Sequence, residues 1–219
     1  MPERTAVPSL LFRDDRFVVL NKPAGLAVHP GPRGGCSVED WFPLLSRRRQ
    51  GPWLVHRLDA DTAGCLMVAL RRTSLITAQQ EFAAGRARKT YWAIVRGALS
   101  HSYGTVNAPL LRQSTSKGWR MVVDPLGKPA VTDWRILDTV GELSWLELSP
   151  RTGRTHQVRV HCSVLGCPVL GDPIYGDAEG PLHLLARSIA LDLDPPLAAT
   201  APAPEHMQPT LKRFASGAD

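Results

Sequence analysis

Residues 130–150, "AVTDWRILDTVGELSWLELSP", decide the fold class. Two runs in this stretch, "AVTDWRILD" and "ELSWLELSP", are rich in β-branched and aromatic residues and read as strands. Upstream, "GTVNAPL" and "WRMVVD" read the same way. Strand therefore follows strand from 104 to 150, and helices are few and do not strictly alternate with them. That pattern argues for an α+β fold.

Working outward, "FVVLNKPAGLAVHPG" (17–31) reads as a strand, a Pro-Gly turn and a second short strand. "SVEDWFPLLSRRR" opens on Ser37, a helix-capping residue, although Pro43 works against a regular helix. "VHRLD" and "CLMVAL" read as strands about a loop at Thr62, Ala63 and Gly64. "TSLITAQQEFAAG" predicts a helix capped by Thr73 and ended by Gly85. "KTYWAIVRG" and "SIALDLD" predict strands. "RTHQVRVHCSVLG" fits either period, and its length favours a helix. No Pro/Gly/Ser linker interrupts the interior. One domain is expected over residues 1–204, with residues 205–219 as a flexible tail after a proline- and alanine-rich stretch.

Composition excludes several classes. Hydrophobic residues make up 43% of the 219, an ordinary globular share that argues against wholesale disorder. No apolar run approaches the roughly 20 residues of a membrane span, and "MPERTAVPSLLFRDDRF" lacks a signal-peptide core. A soluble, cytoplasmic protein is expected. The net charge of +6 suits a phosphate-bearing partner, though many basic proteins bind no nucleic acid. The four cysteines form no C-x-x-C pair, and Cys65 sits in an apolar run that suggests a buried, reduced thiol. Cys162 and Cys167, near His156 and His161, match no standard zinc spacing.

Three stretches carry polar residues where a strand or its rim should be apolar: "HRLDADTAG" (56–64), "KTYWAIVRG" (89–97) and "RTGRTHQVRVH" (151–161). In an extended strand Arg57 and Asp59, two apart, share a face, as a strand-end ion pair or as a carboxylate set out for chemistry. Tyr91 by itself is most simply a core aromatic. The cations of the third stretch read either as a solvated helix face or, for Arg154 and His156 in a Gly-containing turn, as ligand-binding residues.

Taken jointly, these stretches resemble a known family. "HRLDADTAG" is similar to the H-R-L-D-x-x-T-S-G motif of the RluA-type pseudouridine synthases, and "KTYWAIVRG" to their K-x-Y-x-A-x-V-x-G. "RTGRTHQVRVH" with "GCPVLGDPIYG" resembles the R-T-H-Q-[IL]-R-V-H and G-D-x-x-Y-G pair, and "NKPAGLAVHPG" the first motif. The motifs fall in family order from residue 18 to about 190. The resemblance implies a single catalytic domain of pseudouridine-synthase type, with a largely antiparallel mixed sheet flanked by helices and loops. It implies an isomerase that converts a uridine in structured RNA, ribosomal or transfer, to pseudouridine. Carried over by position, Asp59 is the catalytic carboxylate, Tyr91 stacks on the target base, and Arg154 pairs with Asp59. Arg57 helps fill the gap left by the flipped base, and Lys89 contacts phosphate.

Two positions depart from the family: Ala63 stands for the serine of T-S-G, and Leu185 for a frequent second histidine. Neither carries the implied chemistry, so altered packing is expected rather than lost activity. No small RNA-binding module precedes these motifs, which would place target selection on the catalytic domain's own surface. The isomerisation has no net redox change and calls for no metal, ATP or NAD; no Walker loop or dinucleotide fingerprint is present. Asp59 could act as nucleophile or as base. The partner expected is RNA, not DNA or membrane, and the chain is expected to be a monomer. A catalytically silent RNA-binding module of the same fold, and a hydrolase pairing Asp59 with Asp61, are the rival readings. A kinase reading of H-R-L-D fails for want of a Gly-rich loop and a D-F-G partner.

Overall fold

The computed structural model describes residues 8–31, 34–48, 50–116 and 118–216, the side chain of residue 115 excepted. Twelve strands and four α-helices are formed by these residues, an α+β arrangement with antiparallel pairing throughout the paired strands described below. The chain divides into two compact units. Unit 1 holds the described residues through Lys89 together with Ala186–Pro204, and unit 2 holds Thr90–Leu185 with the described residues from Glu205 onward. The chain crosses the division at 89/90, 185/186 and 204/205, so no linker composition marks it.

In unit 1, β1 (Ser9–Arg13), β2 (Phe17–Lys22) and β4 (Ala63–Ala69) lie side by side, with β3 (Trp53–Leu54) also on β4. All seven residues of β4 are buried, which is why "AGCLMVA" reads as a continuous apolar run rather than an alternating one. Cys65 is among them: its Sγ donates to the carbonyls of Arg187 and Ala199, and burial pushes the thiol up to about 11. The helix expected at Ser37 forms as a 3₁₀ turn, Val38–Trp41, running into α1 (Phe42–Leu45), with Pro43 in the first turn where a missing N–H costs nothing. α2 (Arg72–Ala83) ends at Gly85, whose φ of +71° suits glycine. The second short strand expected after the Pro-Gly turn reduces to isolated bridges at Ala27 and Gly31. "VHRLD" is not a strand either: residues 55–62 form a loop between β3 and β4.

In unit 2 the order is β5 (Arg88–Arg96), β10 (Leu143–Pro150), β9 (Val131–Val140), β6 (Tyr103–Asn107). β10 alternates strictly, sending Ser144, Leu146, Leu148 and Pro150 inward. Its partner β9 pairs with it in register apart from one shift at Trp145/Leu146, and it buries Thr132, Trp134 and Val140. β7 (Leu110–Thr115) and β8 (Gly118–Val123) make a separate hairpin. α3 (Gln157–Val164) confirms the helix expected in "RTHQVRVHCSVLG".

The expected fraying after Pro204 is not what the chain does. β11 (Leu184–Leu191) is followed in unit 1 by β12 (Leu197–Thr200), which pairs with it. Residues 205–216 then form a 3₁₀ turn and α4 (Gln208–Ser216), with Met207 and Phe214 buried and Phe214 6.0 Å from the Trp145 ring. Two apolar anchors outweigh the proline-rich composition before them; residues 217–219 lie outside the described residues.

Candidate active site

Asp59 sits at the first position of a turn, Asp59–Thr62, closed by the Thr62 N–H donating to the Asp59 carbonyl at 3.1 Å. Buried Val55 and Leu58 anchor the loop. Arg57 between them is exposed and Asp59 half-buried, while Asp61 is exposed. Because the segment is not a strand, alternation does not orient Arg57 and Asp59; the two apolar anchors do.

What holds the turn comes from the first motif. Lys22 is fully buried, and its Nζ donates to the carbonyls of Pro23, Leu26 and Ala60 at 2.9, 2.8 and 2.7 Å. The Gly25 N–H adds a bond to the Ala60 carbonyl at 2.9 Å, from a backbone with φ of +83° that glycine adopts without strain. Burial pulls the Lys22 ammonium down to about 8, opposed by the negative fields of Asp61 and Asp59. One buried cation thus ties "NKPAGL" to the turn bearing Asp59. The reading of the sequence missed Lys22; the signal was a lysine closing an otherwise apolar strand directly before a Pro-Gly turn.

Beside this loop, the half-buried His56 ring stacks on Phe82 at 5.3 Å, and its Nε2 accepts the Met67 N–H at 3.1 Å. Burial, with the charge of Lys89, pushes His56 down to about 4, so the ring is neutral as an acceptor must be. Lys89 is half-buried with its Nζ 5.7 Å from the Phe82 ring centre, and burial lowers its pKa.

In unit 2, Tyr91 lies on β5 opposite Leu148, partly buried against the core that includes Leu146, Leu148 and Val158. Arg154 is exposed; its Nε donates to the Pro129 carbonyl at 3.0 Å. The backbone around it is organised by Gln157, whose Oε1 accepts from the Arg154 N–H and the Thr152 hydroxyl. Gln157 Nε2 donates to the Val131 carbonyl and to Thr132 Oγ1.

The cations around Arg154 do not form one solvated face, because Arg159 and His161 are buried. Arg159 is buried in a two-bond pair with Asp172, at 2.8 and 2.7 Å. Burial would raise the Asp172 carboxyl, but the Arg159 guanidinium and the N–H groups of Ile174 and Tyr175 hold it below the usual range. His161 is fully buried between Thr132 Oγ1 and the Ala108 carbonyl. Arg151 pairs with Asp133. His156, at φ 54°, bonds the Tyr175 hydroxyl through Nδ1 and stacks on Trp119 at 5.0 Å. The G-D-x-x-Y-G stretch therefore acts as a clamp on α3. The two departures from the family are core positions, Ala63 starting β4 and Leu185 fully buried in β11. Among the described residues no three His, Cys, Asp or Glu side chains gather as a metal site.

This α+β fold with its braced aspartate turn matches one class of known proteins. The family model described as RNA pseudouridylate synthase matches residues 16–164. The chain is 40% identical over 156 residues to an uncharacterized RNA pseudouridine synthase of Zymomonas mobilis, covering 70% of this chain and 71% of that one. It is 39% identical over 157 residues to ribosomal large subunit pseudouridine synthase C of Vibrio cholerae, covering 72% and 49%. Among solved structures it is similar to human RNA pseudouridylate synthase domain containing 4, with a TM-score of 0.81, 28% identity, and 94% and 93% of the two chains covered. This chain belongs to the RNA pseudouridylate synthase family, in its RluA-type branch. It spans about half the length of most of the curated relatives it matches, 49% of the Vibrio cholerae protein for example.

Proposed function

We propose that this chain isomerises a specific uridine in structured RNA, ribosomal or transfer, to pseudouridine. The bond from ribose C1′ to uracil N1 breaks, the base turns, and a bond from C1′ to C5 forms while the C5 proton is lost and N1 gains one. Hydrolysis would be the failure of this reaction, so a site of this kind keeps water out. Asp59 is the catalytic carboxylate, as nucleophile or as base. The single observation that carries the reading is the turn of Asp59, pinned by Gly25 and by the buried Lys22 ammonium. Such bracing is what a catalytic group needs to be held in position.

The other roles follow the family motifs. Flipping the uridine costs a few kcal/mol, and stacking on Tyr91 returns about 1–3 kcal/mol. Arg154 pairs with Asp59, exposed Arg57 fills the gap in the RNA stack, and Lys89 approaches a phosphate. Residues 1–204 act as the catalytic domain, now with α4 added to it. We place the protein in the cytoplasm as a monomer; no helix of the described residues is long and apolar enough to cross a membrane.

The test is to incubate the protein with cellular RNA lacking its own modification, in EDTA, and to map pseudouridine by carbodiimide stops. A stop made by the wild type and lost in Asp59→Asn is expected. No stop in any RNA, with binding intact, would favour the silent RNA-binding module. Release of free uracil would favour a hydrolase.

A further inference from the structure

Residues 46–48 and 70–71, each part of an arginine-rich stretch, "SRRRQ" and "LRRTS", meet at one place in unit 1. They line a cleft of about 880 Å³ whose cations are Arg13, Arg47, Arg48 and Arg71 and whose acids are Asp14 and Asp15. Both acids are engaged already. Asp14 accepts the backbone N–H of Arg16 and Phe17 and pairs with the Arg16 guanidinium, and Asp15 pairs with Arg71. Arg47 and Arg48 are exposed and hold no ion pair among the described residues. Arg13 donates to the Leu45 carbonyl, which leaves its charge uncompensated. Arg49 of the same run lies outside the described residues.

The lining identifies the ligand. An open cleft with an excess of guanidinium charge attracts a polyanion, and guanidinium groups match phosphate oxygens. Among the described residues no aromatic side chain lines the cleft, so it offers no ring platform for an unpaired base. The contact is therefore to backbone, which positions RNA without reading its sequence.

The sheet register sets the distance from the chemistry. β2 and β4 pair from Phe17↔Ala69 to Lys22↔Gly64. Asp14, Asp15, Leu70 and Arg71 flank the first end of that ladder, whereas Lys22 and the Asp59 turn flank the second. Five residue steps of roughly 3.3 Å separate the two ends by about 17 Å.

We propose that this cleft grips the phosphate backbone of the substrate about a strand's length from the target uridine, so that the substrate is an extended stem rather than a compact loop. The inference rests on the RNA-modifying reading above.

The probe is a labelled 20-base-pair RNA duplex, its binding followed by anisotropy from 50 to 300 mM KCl. Arg47→Ala/Arg48→Ala should lower the slope of log K against log salt by about 2 and weaken binding about tenfold at low salt. Lys212→Ala/Arg213→Ala, which removes the same charge from exposed positions of α4, should leave the slope within half a unit of wild type. An unchanged slope in the first variant, or an equal fall in both, overturns the cleft. In the RNA identified by pseudouridine mapping, trimming the stem below the 17 Å reach should raise KM for wild type and abolish the KM defect of the arginine variant. A defect that persists undiminished overturns the distal placement. Absence of pseudouridine in every RNA would instead remove the functional reading, while the duplex slopes still decide whether the cleft binds phosphate.

Discussion

Lys22 shows how much one buried side chain can organise. Its three carbonyl partners come from two segments of the chain, and Ala60, 38 residues from Lys22, is the residue next to Asp59. A methionine would fill a similar volume and remove the desolvation cost of a buried charge, which offsets part of the lost hydrogen bonding. The carbonyls of Pro23, Leu26 and Ala60 would lose their donor, and the turn its brace. Lys22→Met should lower kcat at least tenfold with RNA affinity within about twofold, since small misplacement of a catalytic group is expensive. Single-turnover kinetics beside a binding titration would check this; a fall in affinity with kcat preserved would remove Lys22 from the positioning role.

At the scale of the element, α3 and the "GDPIYG" loop stabilise one another. Arg159 on the helix meets Asp172 on the loop, and the Arg159 guanidinium lies 5.3 Å from the Tyr175 ring centre. The Tyr175 hydroxyl accepts the Met121 N–H and contacts His156, which extends the link to the β7–β8 hairpin. Breaking a buried pair leaves an uncompensated charge and costs about 3–5 kcal/mol. Asp172→Asn should destabilise by that order in urea unfolding. A paired Asp172→Asn/Arg159→Met variant should recover much of the loss. If the single variant were as stable as wild type, the clamp would contribute nothing.

For the whole molecule, acid is the sensitive direction. His56, His161 and His183 all have pKa values lowered by burial, His56 to about 4. Each resists protonation in the fold more than in the unfolded chain, where it binds a proton below about pH 6.5. The unfolded state therefore binds more protons between the two values, and stability falls as pH drops through that window. His56 by itself should cost about 2 kcal/mol between pH 7 and pH 5. Urea unfolding at the two pH values should show the loss, and His56→Gln should reduce it. A flat profile would contradict neutral buried rings. Asp172, with its value depressed, loses its contribution only at more acid pH.

The sequence by itself determined what depends on local pattern and on motif order. The strands β6, β8, β9 and β10, the α2 helix with its Gly85 stop, and the family membership were legible, because periodicity and motif spacing lie along the chain, whereas β7 and the true N-cap of α2, Arg71 rather than Thr73, were not. The short list of site residues, Asp59, Arg57, Tyr91, Arg154 and Lys89, rests on the motif match, and the Asp59→Asn experiment tests the first of them. Tertiary structure decided what depends on partners distant in sequence. "VHRLD" became a loop because Val55 and Leu58 bury it and Lys22 ties it, which no alternation could reveal. Arg159 and His161 went inside because Asp172, Thr132 and Ala108 satisfy them there, although charge composition placed them on a surface. The segment after Pro204 became helical because Met207 and Phe214 found a core to enter. In each case a burial site or hydrogen-bond partner contributed by another part of the chain outweighed the local preference, and only the folded molecule supplies it.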